Sequence, residues 1–312
     1  MPGIDLFAER TPKRRRTWTL AAIPLTVLFL FIGQSPGAIA MLMLHMPLDA
    51  GVDWRSDVLL LLTFAPITVV FLLWNWLFER AGPATLGFNA HAVTRYTRGL
   101  LIGLGFAAAA VGGVWLLGGY RFEGFGAWEH PTVMTFVPIA AVFFGFVVQG
   151  AAEEVAMRGY LMQVIASRHG IYWGIGISMI LFSLLHASNI APSKQLFMGL
   201  INIVLVGVFF SLYAILERSL WGVCAWHSAW NFLLGAGFGL EVSGQKVDVS
   251  PFLVDLQRAP APWWITGGQF GPEGSVMTSV VLLIGIGYLI RRGALKPKPA
   301  DPVGPPMQRN AR

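Results

Sequence analysis

Long apolar runs recur along almost the whole chain, and they leave few folds open. A helix crossing the ~30 Å hydrocarbon core needs about 20 such residues in succession. Within lipid only a helix or a closed barrel satisfies its own backbone. Hydropathy marks eight candidate spans, at about 18–45, 57–78, 98–118, 132–167, 171–188, 196–216, 219–240 and 275–292. Charged residues make up only 12% of the 312 positions, about half the share of a soluble domain. The sequence therefore predicts an all-α polytopic membrane protein with about eight transmembrane helices. The fourth run is too long for one crossing, since a helix over its whole length would reach ~54 Å. A break is expected near Pro138, Gly145 or Gly150.

Charges between the runs predict an orientation. Lys13, Arg14, Arg15 and Arg16 precede the first span, Arg80, Arg95 and Arg98 lie between the second and third, and Arg168 and Arg218 follow the fourth and sixth. Arg291, Arg292, Lys296 and Lys298 close the chain, while Asp49, Asp53, Asp57, Glu123, Glu129, Asp248 and Asp255 fall in the alternate loops. An even number of crossings and the positive-inside rule place both termini in the cytoplasm. The net charge of +6 thus points to membrane lipids as partners and away from nucleic acid. The basic start, the apolar stretch and Ala38-Ile39-Ala40 also fit a cleaved signal peptide. The run continues through Leu44, however, so the first span is expected to stay as an anchor. The proline-rich end, "KPKPADPVGPPMQRNAR", is expected to be a disordered tail. The single cysteine, Cys224, excludes an intramolecular disulfide. Trp54, Trp263 and Trp264 fit an interfacial belt, and Gly103/Gly105, Gly174/Gly176 and Gly235/Gly237/Gly239 fit close helix packing.

Against this apolar background stands "GAAEEVAMRGY", residues 150–160. A charge near the centre of a membrane helix costs about 2.5–3.5 kcal/mol on insertion scales, so three of them need a reason. Glu154 and Arg158 are four apart, acid first, the favourable order for a pair along one helix face. Glu153 is turned about 100° away and has no partner within its own helix.

Further polar residues follow on the next spans. His186 closes "LFSLLH", with Phe182 on the same face, and "HSAWN" places His227 and Asn231 on one face of the seventh span. Counted from a hairpin tip at Gly170, Glu153 and His186 stand at matching depth, roughly 25 Å along adjacent antiparallel helices. His227 and Asn231 come out a turn or two shallower. A carboxylate and a histidine sharing one water can remove its proton. A second histidine and an asparagine amide can donate to the oxyanion that forms. No Gly-x-Ser-x-Gly elbow, His-Glu-x-x-His helix or phosphate loop is present. His45, His91, His130 and His169 fall at loops or interfaces and carry no expected role.

Glu153-Glu154-x-x-x-Arg158, Phe182-x-x-x-His186 and His227-x-x-x-Asn231, in this order on successive spans, resemble the CPBP family, the CAAX proteases and bacteriocin-processing (Abi) membrane proteins. The similarity covers about residues 132–240. It implies an intramembrane, glutamate-dependent endopeptidase of the CAAX type, with its catalytic core on spans four to seven. By position, Glu153 and His186 would activate water, His227 and Asn231 would stabilise the oxyanion, and Glu154, Arg158 and Phe182 would support them. No cofactor is expected, the alternative being a Zn²⁺ ion on Glu153, His186 and His227. The implied substrate is a membrane-associated or lipidated peptide, and the expected location is a bacterial inner membrane. A non-catalytic immunity or scaffold protein is the rival from another class. The domain organisation expected is a basic N-terminus (1–17), three variable helices (18–131), the core (132–240), a non-cytoplasmic loop (241–274), a last helix (275–292) and the tail (293–312). Nothing in the sequence predicts an oligomeric state.

Overall fold

The computed structural model describes residues 3–8, 15–45 and 54–296. Lys13, Arg14, Asp49, Asp53, Lys298 and residues 297–312 of the tail, together with the side chains of Trp54 and Asp57, lie outside the described residues. All eight apolar runs are helical: α1 (Thr19–Met43), α2 (Trp54–Leu77), α3 (Ala92–Leu116), α4 (Val133–His169), α5 (Ile171–Leu185), α6 (Lys194–Glu217), α7 (Trp221–Phe232) and α8 (Val276–Arg291). Four of them, α1, α3, α4 and α6, are long and apolar enough to cross a membrane, while α5, α8 and residues 61–77 of α2 form shorter apolar helices. Eight full crossings are therefore not shown. The helix surfaces fit lipid: Leu20, Leu116, Phe144, Phe197 and Ile284 are all exposed. The chain is an integral membrane protein.

The break expected near Pro138, Gly145 or Gly150 is absent. Pro138 sits five residues past Val133, in the second turn of α4. There its missing N–H and its ring disturb few upstream carbonyls. The helix instead loosens into a π-helical stretch at Val155–Met162, buried at every position. Such stretches are rare and recur at functional sites. This one begins directly after Glu153-Glu154.

Small residues set the crossing that matters most for the site. A Cβ on Gly99 of α3 would lie 2.0 Å from the Gly222 carbonyl oxygen of α7, and one on Gly103 would lie 2.6 Å from that of Trp226. Gly174 similarly meets Met162 and Ala166, whereas Gly105 and Gly176 face open space. Only one glycine of each of these two pairs therefore serves close packing.

At one end of the bundle, Leu220 N–H donates to the Gly87 carbonyl (3.0 Å) and Thr19 Oγ1 bonds His169 Nε2 (3.0 Å). The opposite end corrects the all-α expectation. Tyr120–Gly124 (β1) and Asp255–Arg258 (β2) form a two-stranded antiparallel sheet, Tyr120 opposite Arg258, with a register shift between Phe122 and Gly124. The segment expected as a loop over 241–274 is thus a folded cap, burying Val242, Val247, Leu256 and Phe270.

Candidate active site

α4, α5 and α7, with flanks from α1, α2, α6 and the cap, enclose a cavity of about 550 Å³. That volume suits a peptide segment or a lipid-sized group. Glu153, His186, His227, Asn231 and Phe182 all line it. Glu154 and Arg158 do not line it; they sit behind it, fully buried.

The two glutamates have different surroundings. Glu154 Oε1 accepts from Arg158 Nη1 at 2.9 Å and from His227 Nδ1 at 3.1 Å. The Arg158 guanidinium lies 4.5 Å from the Phe182 ring centroid and 5.1 Å from that of Phe210. Two aromatic faces thus supplement one carboxylate around a buried cation. Glu153 Oε1 accepts from Gln149 Nε2 at 3.3 Å, while its Oε2 has no hydrogen-bond partner among the described residues. His227 Nε2 stands 3.8 Å from that free oxygen. One imidazole therefore rests on Glu154 and faces Glu153.

Gln149 was not singled out in the sequence, although it is four before Glu153 and so shares its face. Its amide oxygen accepts from Asn231 Nδ2 at 3.4 Å while its amide N–H reaches Glu153. It thereby links the carboxylate to the asparagine. His186 caps α5, and its Nδ1 bonds the Phe182 carbonyl at 2.8 Å. A carbonyl can only accept, so Nδ1 carries the proton and the neutral ring keeps Nε2 as an acceptor. No hydrogen bond joins His186 to Glu153 or His227. Phe182 bridges them instead, its ring 4.8 Å from that of His186 and 6.3 Å from that of His227.

His227 lies level with Glu153 and Glu154, not shallower. Gly159 packs against Leu220 at the start of α7, so the 11 residues from Gly159 to Gly170 carry the α4–α5 hairpin ~16 Å beyond that level. Depth counted from the tip and depth counted from Arg218 therefore have different origins.

Glu153, His186 and His227 do not form a metal-ligand set as they stand. No group of three His, Cys, Asp or Glu side chains among the described residues is arranged to hold an ion, although bonding of both Nδ1 atoms leaves each histidine's Nε2 as its free ring nitrogen.

Residues 135–233 match the family model described as type II CAAX prenyl endopeptidase Rce1-like. The match holds every motif residue above and supports the resemblance to CAAX proteases, a family of peptidases. No curated protein and no solved structure matches the chain.

Proposed function

We propose that this protein is a membrane-embedded endopeptidase in which Glu153 activates a water for attack on a peptide bond. The observation that carries this is the unpartnered Glu153 Oε2, on a side chain that lines the same cavity as two histidines and an asparagine. In the proposed step Glu153 removes a proton from water, aided by His186 Nε2 as second acceptor, and the oxygen bonds to the scissile carbonyl carbon. The carbonyl π electrons move onto its oxygen, which Asn231 Nδ2 and His227 hold by hydrogen bonds. His227 donates from Nε2 as the imidazolium, since its Nδ1–H is already given to Glu154. Collapse breaks the C–N bond, and Glu153 returns the proton to the leaving amine. Glu154, Arg158 and Phe182 keep the imidazoles in place.

Apolar walls from Val27, Leu30, Phe31, Phe64 and Ile67 favour a lipidated or membrane-inserted peptide as substrate. CAAX-type processing and peptide maturation both fit. By the positive-inside rule the arginine-rich end would face the cytoplasm, which suits a bacterial inner membrane with both termini inside. No metal is needed for the step. A preparation freed of metal by chelation is expected to keep full activity, and recovery only on adding Zn²⁺ would establish the zinc version. Glu153→Gln is expected to reach wild-type levels in the membrane and to cleave nothing. Peptides retained by it, identified by mass spectrometry, would name the substrate. A Gln variant that cleaves normally would remove Glu153 from the chemistry, and a wild type that cleaves nothing would leave the non-catalytic scaffold standing.

A further inference from the structure

Besides Glu153 and the two histidines, one ionisable side chain among the described residues reaches the cavity: Glu273, from the cap, only 4% exposed. It lies outside the segment matched by the family model. Its Oε1 accepts from Trp230 Nε1 at 3.0 Å, and its Oε2 accepts from the Ser243 hydroxyl at 2.7 Å and from the Ser243 backbone N–H. Its own carbonyl accepts from Asn202 Nδ2 of α6 at 2.7 Å. Three neutral donors thus converge on the two oxygens of one buried carboxylate.

The partners of Glu273 lead to both halves of the site. Trp230 precedes Asn231 and stacks on Trp226, which precedes His227, at 5.0 Å and 11°. Ser243 opens a tight turn closed by the Val242–Gln245 bridge. Its φ of 48° is left-handed for a residue with a side chain, a conformation that persists only when its surroundings enforce it. The Ser243 carbonyl accepts from Asn189 Nδ2 at 2.8 Å, and Asn189 follows His186 by three residues. No hydrogen bond ties His186 directly to Glu153 or His227; beside the Phe182 contact, the Asn189–Ser243–Glu273–Trp230 chain is a hydrogen-bonded link between their segments.

We propose that Glu273 is a positioning residue: by clamping the Val242–Gln245 turn it holds the His186 segment in register with the helix carrying His227 and Asn231. The proposal rests on the peptidase reading above. Glu273→Gln keeps the shape but turns an amide NH₂ toward Trp230 or Ser243, so one donor loses its acceptor. A displacement of about 1 Å at a catalytic group costs about 10²-fold in rate.

The test uses the full chain in lipid vesicles, with kinetics on a cleavable peptide and a readout independent of chemistry. For the latter, Ser188→Cys and Gln245→Cys are introduced on a Cys224→Ala background, and the rate of bridging by a short bifunctional thiol reagent is measured with Glu273 and with Gln in its place. Expected are a kcat lowered by about 10²-fold with little change in KM, together with slower bridging. Adding Asn189→Ala to Glu273→Gln is expected to cost no more than the worse single change, since both break one clamp. Unchanged kcat, or a lost kcat with bridging as fast as before, overturns the proposal. Should Glu273→Gln fail to fold, Ser243→Ala removes one bond of the clamp and is expected to move both readouts the same way. A wild type that cleaves nothing defeats the peptidase reading alone. The bridging rate then still decides whether Glu273 fixes the turn.

Discussion

Glu153 and Glu154 are neighbours in sequence, yet neutralising them is expected to have opposite consequences. Glu154→Gln takes from a fully buried arginine the carboxylate it is ion-paired with among the described residues. Its amide oxygen can replace one of the two bonds that Glu154 Oε1 now accepts. Leaving a buried cation without its counter-charge costs about 3–5 kcal/mol, softened by the two aromatic faces. Glu153→Gln changes far less. Its amide oxygen can still accept from Gln149, and its second position has no hydrogen-bond partner to lose, so the cost is at most about one hydrogen bond, ~0.5–1.5 kcal/mol. At roughly 2 °C per kcal/mol for a chain of this size, the melting temperature is expected to fall by ~6–10 °C for Glu154→Gln and by ~1–3 °C for Glu153→Gln. Fluorescence-detected size exclusion of heated, detergent-solubilised variants would read both, with membrane abundance as a second measure. Equal shifts, or a larger one for Glu153→Gln, would refute this division of labour.

Other substitutions follow from the same contacts. Gln149→Leu removes the side chain joining Glu153 to Asn231. Peptidase activity is expected to fall by about 10²-fold, with a melting temperature near wild type. Gly99→Ala sets a methyl 2.0 Å from the Gly222 carbonyl oxygen and must push α7 away from α3. It is expected to cost about 1–3 kcal/mol and to reduce activity together with stability. In the cap, burial and then the nearby Glu123 and Glu129 push the Asp255 carboxyl above its ordinary pKa. A raised folded-state pKa contributes stability below the unfolded value that is lost as pH rises through the folded value. Asp255→Asn is therefore expected to slow amide exchange in β1 and β2 at neutral pH and to have no effect in acid.

What could be read in advance was what lies along a single helix. The Glu154–Arg158 pair and the shared face of Phe182 and His186 follow from a spacing of four, and both are present in the structure. Gln149 obeys the same rule and was legible, but an uncharged amide drew no notice beside two carboxylates. The contact of His227 with Glu154 was not legible, because it depends on how far the α4–α5 hairpin overshoots α7. That overshoot is set by packing at Gly159 and Leu220, not by any local pattern. Residues 241–274 are expected from sequence only as a loop, although Ser243-Gly244 is a dipeptide of the turn-forming kind. Its role as a cavity wall was hidden, since Glu273 is thirty residues further on. The π-helical stretch after Glu154 leaves no periodic trace in an apolar run.

The most direct test of water activation by Glu153 is the isotopic composition of products formed in H₂¹⁸O with hydroxylamine present, read by mass spectrometry after metal has been removed by chelation. One ¹⁸O in each new carboxylate, no hydroxamate, and no product at all from Glu153→Gln is the predicted result. Hydroxamate formation would reveal an acyl-enzyme intermediate, and turnover by the Gln variant would remove Glu153 from the chemistry; either contradicts the mechanism.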